Sequence, residues 1–313
     1  MINIFQYKNQ KLQKIDQFEE HTWIELVDPT NEEIQKVAKL VGVRQKTILD
    51  VLDEEENSRI DAMEDGTVLL VMNVPYLVDQ TTKNRYDTIP LGILIPNSNY
   101  LVTITLRKNH LFDEFKQEEQ KVSESIDKMQ FLTRILYKIS TLYLTYLNLL
   151  NADIDAKEKQ LYHTTKNQEL VNLLHIEKSL VYFIGSLKAN GIVMQKLLQD
   201  SVFSLTKMDR NMVKDAIVEN NQGIEMAKTY REILTSMTNT YGTIISNNLN
   251  DIMKFLAGIT IVFSVPTMIA SFMGMNVPLG VFETHPFSFF TLLILSLILS
   301  FVIAIWLKKK DML

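Results

Sequence analysis

Counting back from Gly274 in alternating steps of three and four residues gives Ser271, Thr267, Ser264, Thr260, Ala257, Met253, Asn250, Ser246, Thr243 and Asn239. On a helix this spacing keeps one face in line for many turns. The face is built almost wholly of hydroxyls, amides and small side chains, while Ile259, Ile261, Val262, Phe263, Ile269 and Phe272 occupy the others. Hydroxyl and amide oxygens accept hydrogen bonds from water, so such a row suits a wall along which an ion travels with its hydration shell. The plainer reading is a helix–helix contact, which small and hydroxyl residues commonly line in membranes. No carboxylate occurs between Phe255 and Phe282, so nothing charged replaces the shell of a divalent ion there. Mg2+ sheds water reluctantly. A ring of Asn276 side-chain carbonyls, one per subunit, would therefore hold the hydrated ion and not the bare one. Taken alone, an Asn after Gly-Met also reads as a helix C-cap or loop residue.

The elements that must position these residues are apolar. Phe255 to Asn276 is an uncharged run of about the length that crosses roughly 30 Å of hydrocarbon. A second uncharged run, Pro286 to Leu307, follows a short polar break and is closed by Lys308, Lys309 and Lys310. Lys254 precedes the first run and the intervening loop has no basic residue, so the positive-inside rule puts both termini in the cytoplasm. Two spans cannot enclose a pore, and a conduit demands an oligomer with the first span around a closed axis. The second span is the more apolar and suits an outer, lipid-facing ring. Pro266 lacks an amide proton and should bend the first span, freeing a carbonyl near Val262. A gating element and a packing kink are both open readings of that bend.

Upstream, residues 1–125 read as mixed α and β. Trp23 to Val27 alternates like a strand, and Thr30 with Glu33 has capping-box spacing for a helix to Val41. Gln45 to Asp53 reads as a short helix and Thr67 to Leu77 as a strand. Thr88 to Ile95 and Tyr100 to Leu106 flank a hairpin turn at Pro96-Asn97-Ser98-Asn99. From His110 onward helical spacing dominates, with Met129, Leu132, Ile135, Leu136, Ile139, Leu142, Tyr143, Tyr146 and Leu150 on one packed face. A second helix spans about Gln168 to Leu198, and a third begins near Asp209 with no proline before Pro266. Run unbroken to Asn276, the third is on the order of 100 Å long, more than any bilayer, so it projects into the cytoplasm as a stalk. The expected fold is an α+β cytoplasmic domain, a long helical stalk and two C-terminal transmembrane helices, mainly α overall. The divisions are 1–125, the helical hairpin 126–208, the stalk 209–254, the pore-lining span 255–276, the external loop 277–285, the second span 286–307 and the basic tail 308–313.

Composition excludes several classes. With 313 residues and 46% apolar content there is material for one soluble domain plus two spans. The N-terminal MINIFQYKNQ has no apolar core or cleavage site, so no signal peptide is expected. There is no cysteine, hence no disulfide framework or thiolate metal site. A formal charge of −5 without a long basic patch argues against nucleic acid. His21, His110, His163, His175 and His285 are scattered with no nucleophile motif, and no GxxxxGK[ST] loop is present. Neither an enzyme, an organic cofactor nor an ATP-driven pump is expected.

Gly274-Met275-Asn276 at the outer end of the penultimate span, followed by a short loop, a last span and a basic tail, resembles the CorA family of divalent-cation channels. Asn250-x-x-Met253-Lys254-x-Leu256 resembles that family's inner pore segment. Two flanks depart from the pattern: Met273 stands where Tyr is frequent, and Val277 where an aromatic is. The resemblance implies a homopentamer in the cell (inner) membrane that conducts hydrated Mg2+, with Co2+ or Ni2+ as further cargo. It implies narrowing of the pore at Met253 and Leu256. It also places Asp215 where the family has an acid facing a neighbouring subunit, and Asp79 near the partner position, so that cytosolic Mg2+ would bridge the acids and close the stalks. Without the resemblance, Asp215 and Glu219, four apart, are a solvated pair, and Glu283 in the outer loop is either a cation-concentrating or an ordinary loop acid. Two alternatives stand beside the Mg2+ reading: a zinc or cobalt transporter on the same fold, and a membrane-anchored coiled-coil scaffold or sensor.

Overall fold

The computed structural model describes residues 1–8, 11–78, 86–119, 127–161, 167–199, 203–275, 280 and 287–312. Met1–Met237 and Thr238–Leu313 form two compact units.

In the first unit a seven-stranded sheet is built from β1 (Ile2–Lys8), β2 (Lys11–Ile15), β3 (Thr22–Val27), β4 (Arg59–Ala62), β5 (Val68–Leu77), β6 (Tyr86–Ile95) and β7 (Tyr100–Thr105). Its order is β2-β1-β3-β7-β6-β5-β4, antiparallel throughout except for the parallel pair β3–β7. The β6–β7 hairpin is the one expected at Pro96 to Asn99. β1, β2 and β4 add three strands that the sequence pattern did not reveal.

Successive strand residues face opposite sides, and here both sides are covered. Ile24, Leu26, Leu69, Val71, Leu94, Val102 and Ile104 pack on α1 (Asn31–Val41) and α2 (Gln45–Val51). The alternate set, including Trp23, Leu70, Met72, Leu91, Ile93 and Leu101, packs on α3 (His110–Glu119), α4 (Lys128–Leu161) and α5 (Asn167–Gln199). α1 starts at the predicted capping box, where Thr30 and Glu33 exchange hydrogen bonds of 3.3 and 2.9 Å. It stops at Gly42, whose φ of +78° is the left-handed geometry glycine tolerates. α2 ends at Val51, two residues before the expected Asp53, and presses on β6 where Gly92 leaves room: a Cβ there would lie 2.6 Å from Val51 Cγ1.

Polar side chains complete the attachment of α5 and α4 to the sheet. β4 begins opposite Val71, so Asn73 has no ladder partner on that side. The buried Asn190 of α5 supplies one: its Nδ2 donates to Asn73 O at 2.8 Å and its Oδ1 accepts from Asn73 N at 3.0 Å. Tyr143 of α4 donates to the same carbonyl at 2.9 Å, and burial pushes its phenol well up, keeping it a donor. α6 (Lys207–Met273) starts at a second reciprocal cap, with Thr206 Oγ1 donating to Asp209 Oδ2 at 2.6 Å and accepting from Asp209 N at 3.2 Å. It is a single 67-residue helix. Its part in the first unit packs through Val213, Ala216 and Asn220, the last donating to Leu187 O at 2.9 Å.

Asn190→Leu takes one of two partners from each backbone group of Asn73, whose amide keeps Ser58 Oγ at 3.2 Å and whose carbonyl keeps Tyr143. It should cost about 1–2 kcal/mol, seen as a lowered thermal midpoint of the detergent-solubilised protein.

Candidate functional site

The second unit holds the rest of α6 and α7 (Ser288–Lys308), and both helices are long and apolar enough to cross a membrane. α6 closes at Gly274, whose amide donates to Ala270 O at 3.0 Å and to Ser271 O at 3.2 Å. Met275 follows with an amide hydrogen bond to Phe272 O at 3.3 Å. The helix thus ends at Met273, short of the Asn276 that the pattern reached. Asn276 and Glu283, and Asp79 of the first unit, lie outside the described residues.

The face of α6 turned to α7 is Gly258, Val262, Pro266, Ile269 and Met273, all buried or half-buried. Opposite them on α7 are the buried Ser296 and Ser300, four residues apart on an otherwise greasy helix. Pro266, Ile269 and Met273 line one wall of a cleft whose other wall includes Phe289, Leu293 and Ser296.

The polar stripe lies elsewhere. Thr260 is two residues from both Gly258 and Val262, Ser264 two from Val262 and Pro266, and Ser271 two from Ile269 and Met273. Two residues turn a helix by about 200°. Thr260, Ser264, Thr267 and Ser271 therefore sit nearly opposite the face that meets α7, and all are exposed. So are Asn239, Thr243, Ser246, Asn250, Met253, Leu256 and Ala257 along the same helix. A contact with the chain's own second span does not explain the stripe.

The hydroxyls of the stripe have a defined polarity. Thr243, Thr260, Ser264 and Thr267 each donate to the carbonyl four residues back, at 3.1, 2.8, 2.7 and 3.0 Å. A hydroxyl has one proton and two lone pairs. With the proton committed to the helix backbone, what each oxygen offers outward is acceptor capacity. The waters around a cation point their hydrogens away from it and require acceptors; those around an anion require donors. An uncharged wall of this kind favours a hydrated cation.

Asp215 is exposed on α6, off the face that packs through Val213, Ala216 and Asn220, and Val218 beside it is 63% exposed. Glu219 is half-buried. Among the described residues no three acids or histidines gather into a metal site within one chain.

Known proteins bear on this geometry directly. The family model described as "CorA-like Mg2+ transporter protein" matches residues 18–309. The chain belongs to that family. The cobalt/magnesium transport protein CorA of Methanocaldococcus jannaschii is 30% identical over 283 residues, covering 88% of this chain and 86% of the relative. Its Thermotoga maritima counterpart is 20% identical over 300 residues, covering 92% and 82%. The complete structure of the CorA magnesium transporter from M. jannaschii superposes with a TM-score of 0.83 at 28% identity, covering 97% of this chain and 96% of that one. Family membership sets aside the scaffold alternative and makes the protein a transport protein of the Mg2+/Co2+ class.

Pattern reading located the stripe and the possible bend at Pro266 but passed over Ser296 and Ser300. Their four-residue spacing in an apolar run was the available signal. Because back-bonded hydroxyls do little for helix stability, Thr260→Val and Thr267→Val should leave helicity within about 0.5 kcal/mol of the parent. Circular dichroism melts in detergent check this, and a larger loss would mean that the hydroxyls serve packing.

Proposed function

We propose that the protein is the subunit of a homopentameric channel for hydrated Mg2+, set in the cell membrane with both termini cytoplasmic. The observation that carries this reading is the exposed acceptor stripe of α6, turned away from the chain's own second span. Arranged around a closed axis, five such faces make a polar wall without charge. Mg2+ keeps several waters when bound, and that wall can hold the shell without stripping it. A ring of Asn276 carbonyls at the outer mouth selects the hydrated ion, and Met253 and Leu256 form the apolar inner constriction, which closes by dewetting. Glu283 in the outer loop adds to the cation concentration at the entrance.

Entry follows the membrane potential, worth about 2.3 kcal/mol per charge per 100 mV, hence about 4.6 kcal/mol for a divalent ion. Cytosolic Mg2+ bound between Asp215 of one subunit and Asp79 of the next holds the channel closed; the exposure of Asp215 away from the intrachain packing face supports this. The names of the two relatives favour cobalt as a second cargo ahead of zinc. No organic cofactor or enzymatic step is part of this reading.

In proteoliposomes with an inside-negative potential, Mg2+ should enter and Asn276→Ala should slow entry at least roughly tenfold, the loss of about one net hydrogen bond over the whole ring. Entry unchanged in Asn276→Ala removes that residue as the filter. No entry of Mg2+ or Co2+ with assembled wild-type protein refutes the channel. Asp215→Ala should relieve inhibition by internal Mg2+; inhibition left as in wild type removes Asp215 from the sensor.

A further inference from the structure

In α6 the carbonyl of Val262 should accept from the amide of residue 266, but that residue is proline and has no amide proton. Lipid tails supply no donor in its place, and such a carbonyl is satisfied by a neighbouring helix, a Ser or Thr side chain, an ordered water or a local 3₁₀ or π adjustment. Here the donor is Ser300 of α7, whose Oγ lies 3.3 Å from Val262 O and whose side chain is buried. The other hydroxyls nearby are engaged elsewhere. Ser264 donates to Thr260 O, Thr267 to Phe263 O, and Ser296, one turn before Ser300, to Leu293 of its own helix at 2.8 Å. Ser300 alone among these reaches across the two spans.

On the outward side of Pro266 the two helices are not closely packed. A cleft of about 430 Å³ separates Ala270 and Met273 from Phe289 and Leu292. The pore-lining helix is thus pinned to α7 one turn before the proline and has space beside it after the proline.

We propose that Ser300 is a positioning residue of the pore. Its hydroxyl replaces the missing proline amide at Val262 and thereby sets the direction in which the segment from Thr267 to Gly274 leaves Pro266. Breaking the bond lets that segment swing into the cleft and carries the stripe's outer end with it. The effect on ion flow rests on the channel reading above; the hinge itself does not.

Four proteins test it: wild type, Ser300→Ala, Pro266→Ala and the double variant. An alanine at 266 restores the amide, so the serine becomes redundant. The chain has no cysteine of its own; spin labels therefore go cleanly onto Phe272→Cys and Phe290→Cys, both at exposed positions beyond the proline, in labelled subunits diluted with unlabelled ones. Ser300→Ala should broaden or shift the distance distribution between the labels and move the internal Mg2+ concentration that halves entry by roughly threefold. In the Pro266→Ala background the same substitution should do neither. Equal effects in both backgrounds, or no effect in either, overturn the proposal. Should Pro266→Ala fail to assemble, Ser300→Thr takes its place: behaviour like wild type supports the hydroxyl, and behaviour like Ser300→Ala overturns it. If wild type conducts nothing, the channel reading fails while the label distances still decide the hinge.

Discussion

A polar group in hydrocarbon must be satisfied by protein or by enclosed water, because lipid tails offer it nothing. Within the membrane, α6 carries Thr260, Ser264, Thr267 and Ser271 on one line. Three of these hydroxyls place their proton on their own backbone, leaving oxygen lone pairs outward on a face that α7 does not cover. In the proposed channel the demand those lone pairs make is met by water held inside an assembly of copies. On that reading, oligomerisation, an aqueous path and preference for a cation come from one constraint.

The same constraint divides the labour between the two spans. α7 exposes most of its length and buries Ser296, Ser300 and Leu307, as expected of a helix with lipid on most sides and a partner on one. Contact between the spans includes the bond from Ser300 to Val262, and beyond it a cleft lies between Pro266, Ile269 and Met273 on one helix and Phe289, Leu293 and Ser296 on the other. In the first unit the polar groups have other solutions. Asn190 and Tyr143 complete the backbone of Asn73, and Glu25, buried in the sheet, is paired at 2.9 Å with Lys116, whose ammonium lies over Phe5 and Trp23.

Much of this was legible in the residues because local chemistry determined it. Thr30 with Glu33 marks the start of α1, the uncharged runs mark the spans, and the three-and-four spacing gives the stripe. β2 and β4 were not legible because they are the outermost strands of the sheet. Edge strands carry polar and charged residues, here Lys11 and Lys14 in one and Arg59 and Asp61 in the other, and so lack the alternation that identifies inner strands. β1 was hidden for a related reason, since its pattern has meaning only beside β3 and β2. Ser300 escaped because its spacing from Ser296 marks a face of the helix but not the partner, a carbonyl 38 residues away.

The central claim is that the stripe of α6 faces water, and thiol accessibility measures it most directly. In the naturally cysteine-free chain, single cysteines are placed at Thr260, Ser264, Thr267 and Ser271, and at Ile261, Phe263, Met268 and Phe272 on the other faces. Each variant, reconstituted in vesicles, is exposed to a charged, membrane-impermeant thiol reagent. Reaction at the stripe positions, slowed by Mg2+, with none at the other four, is the predicted result. Reaction that ignores the faces, or a stripe that stays unreactive in assembled protein, would contradict the account.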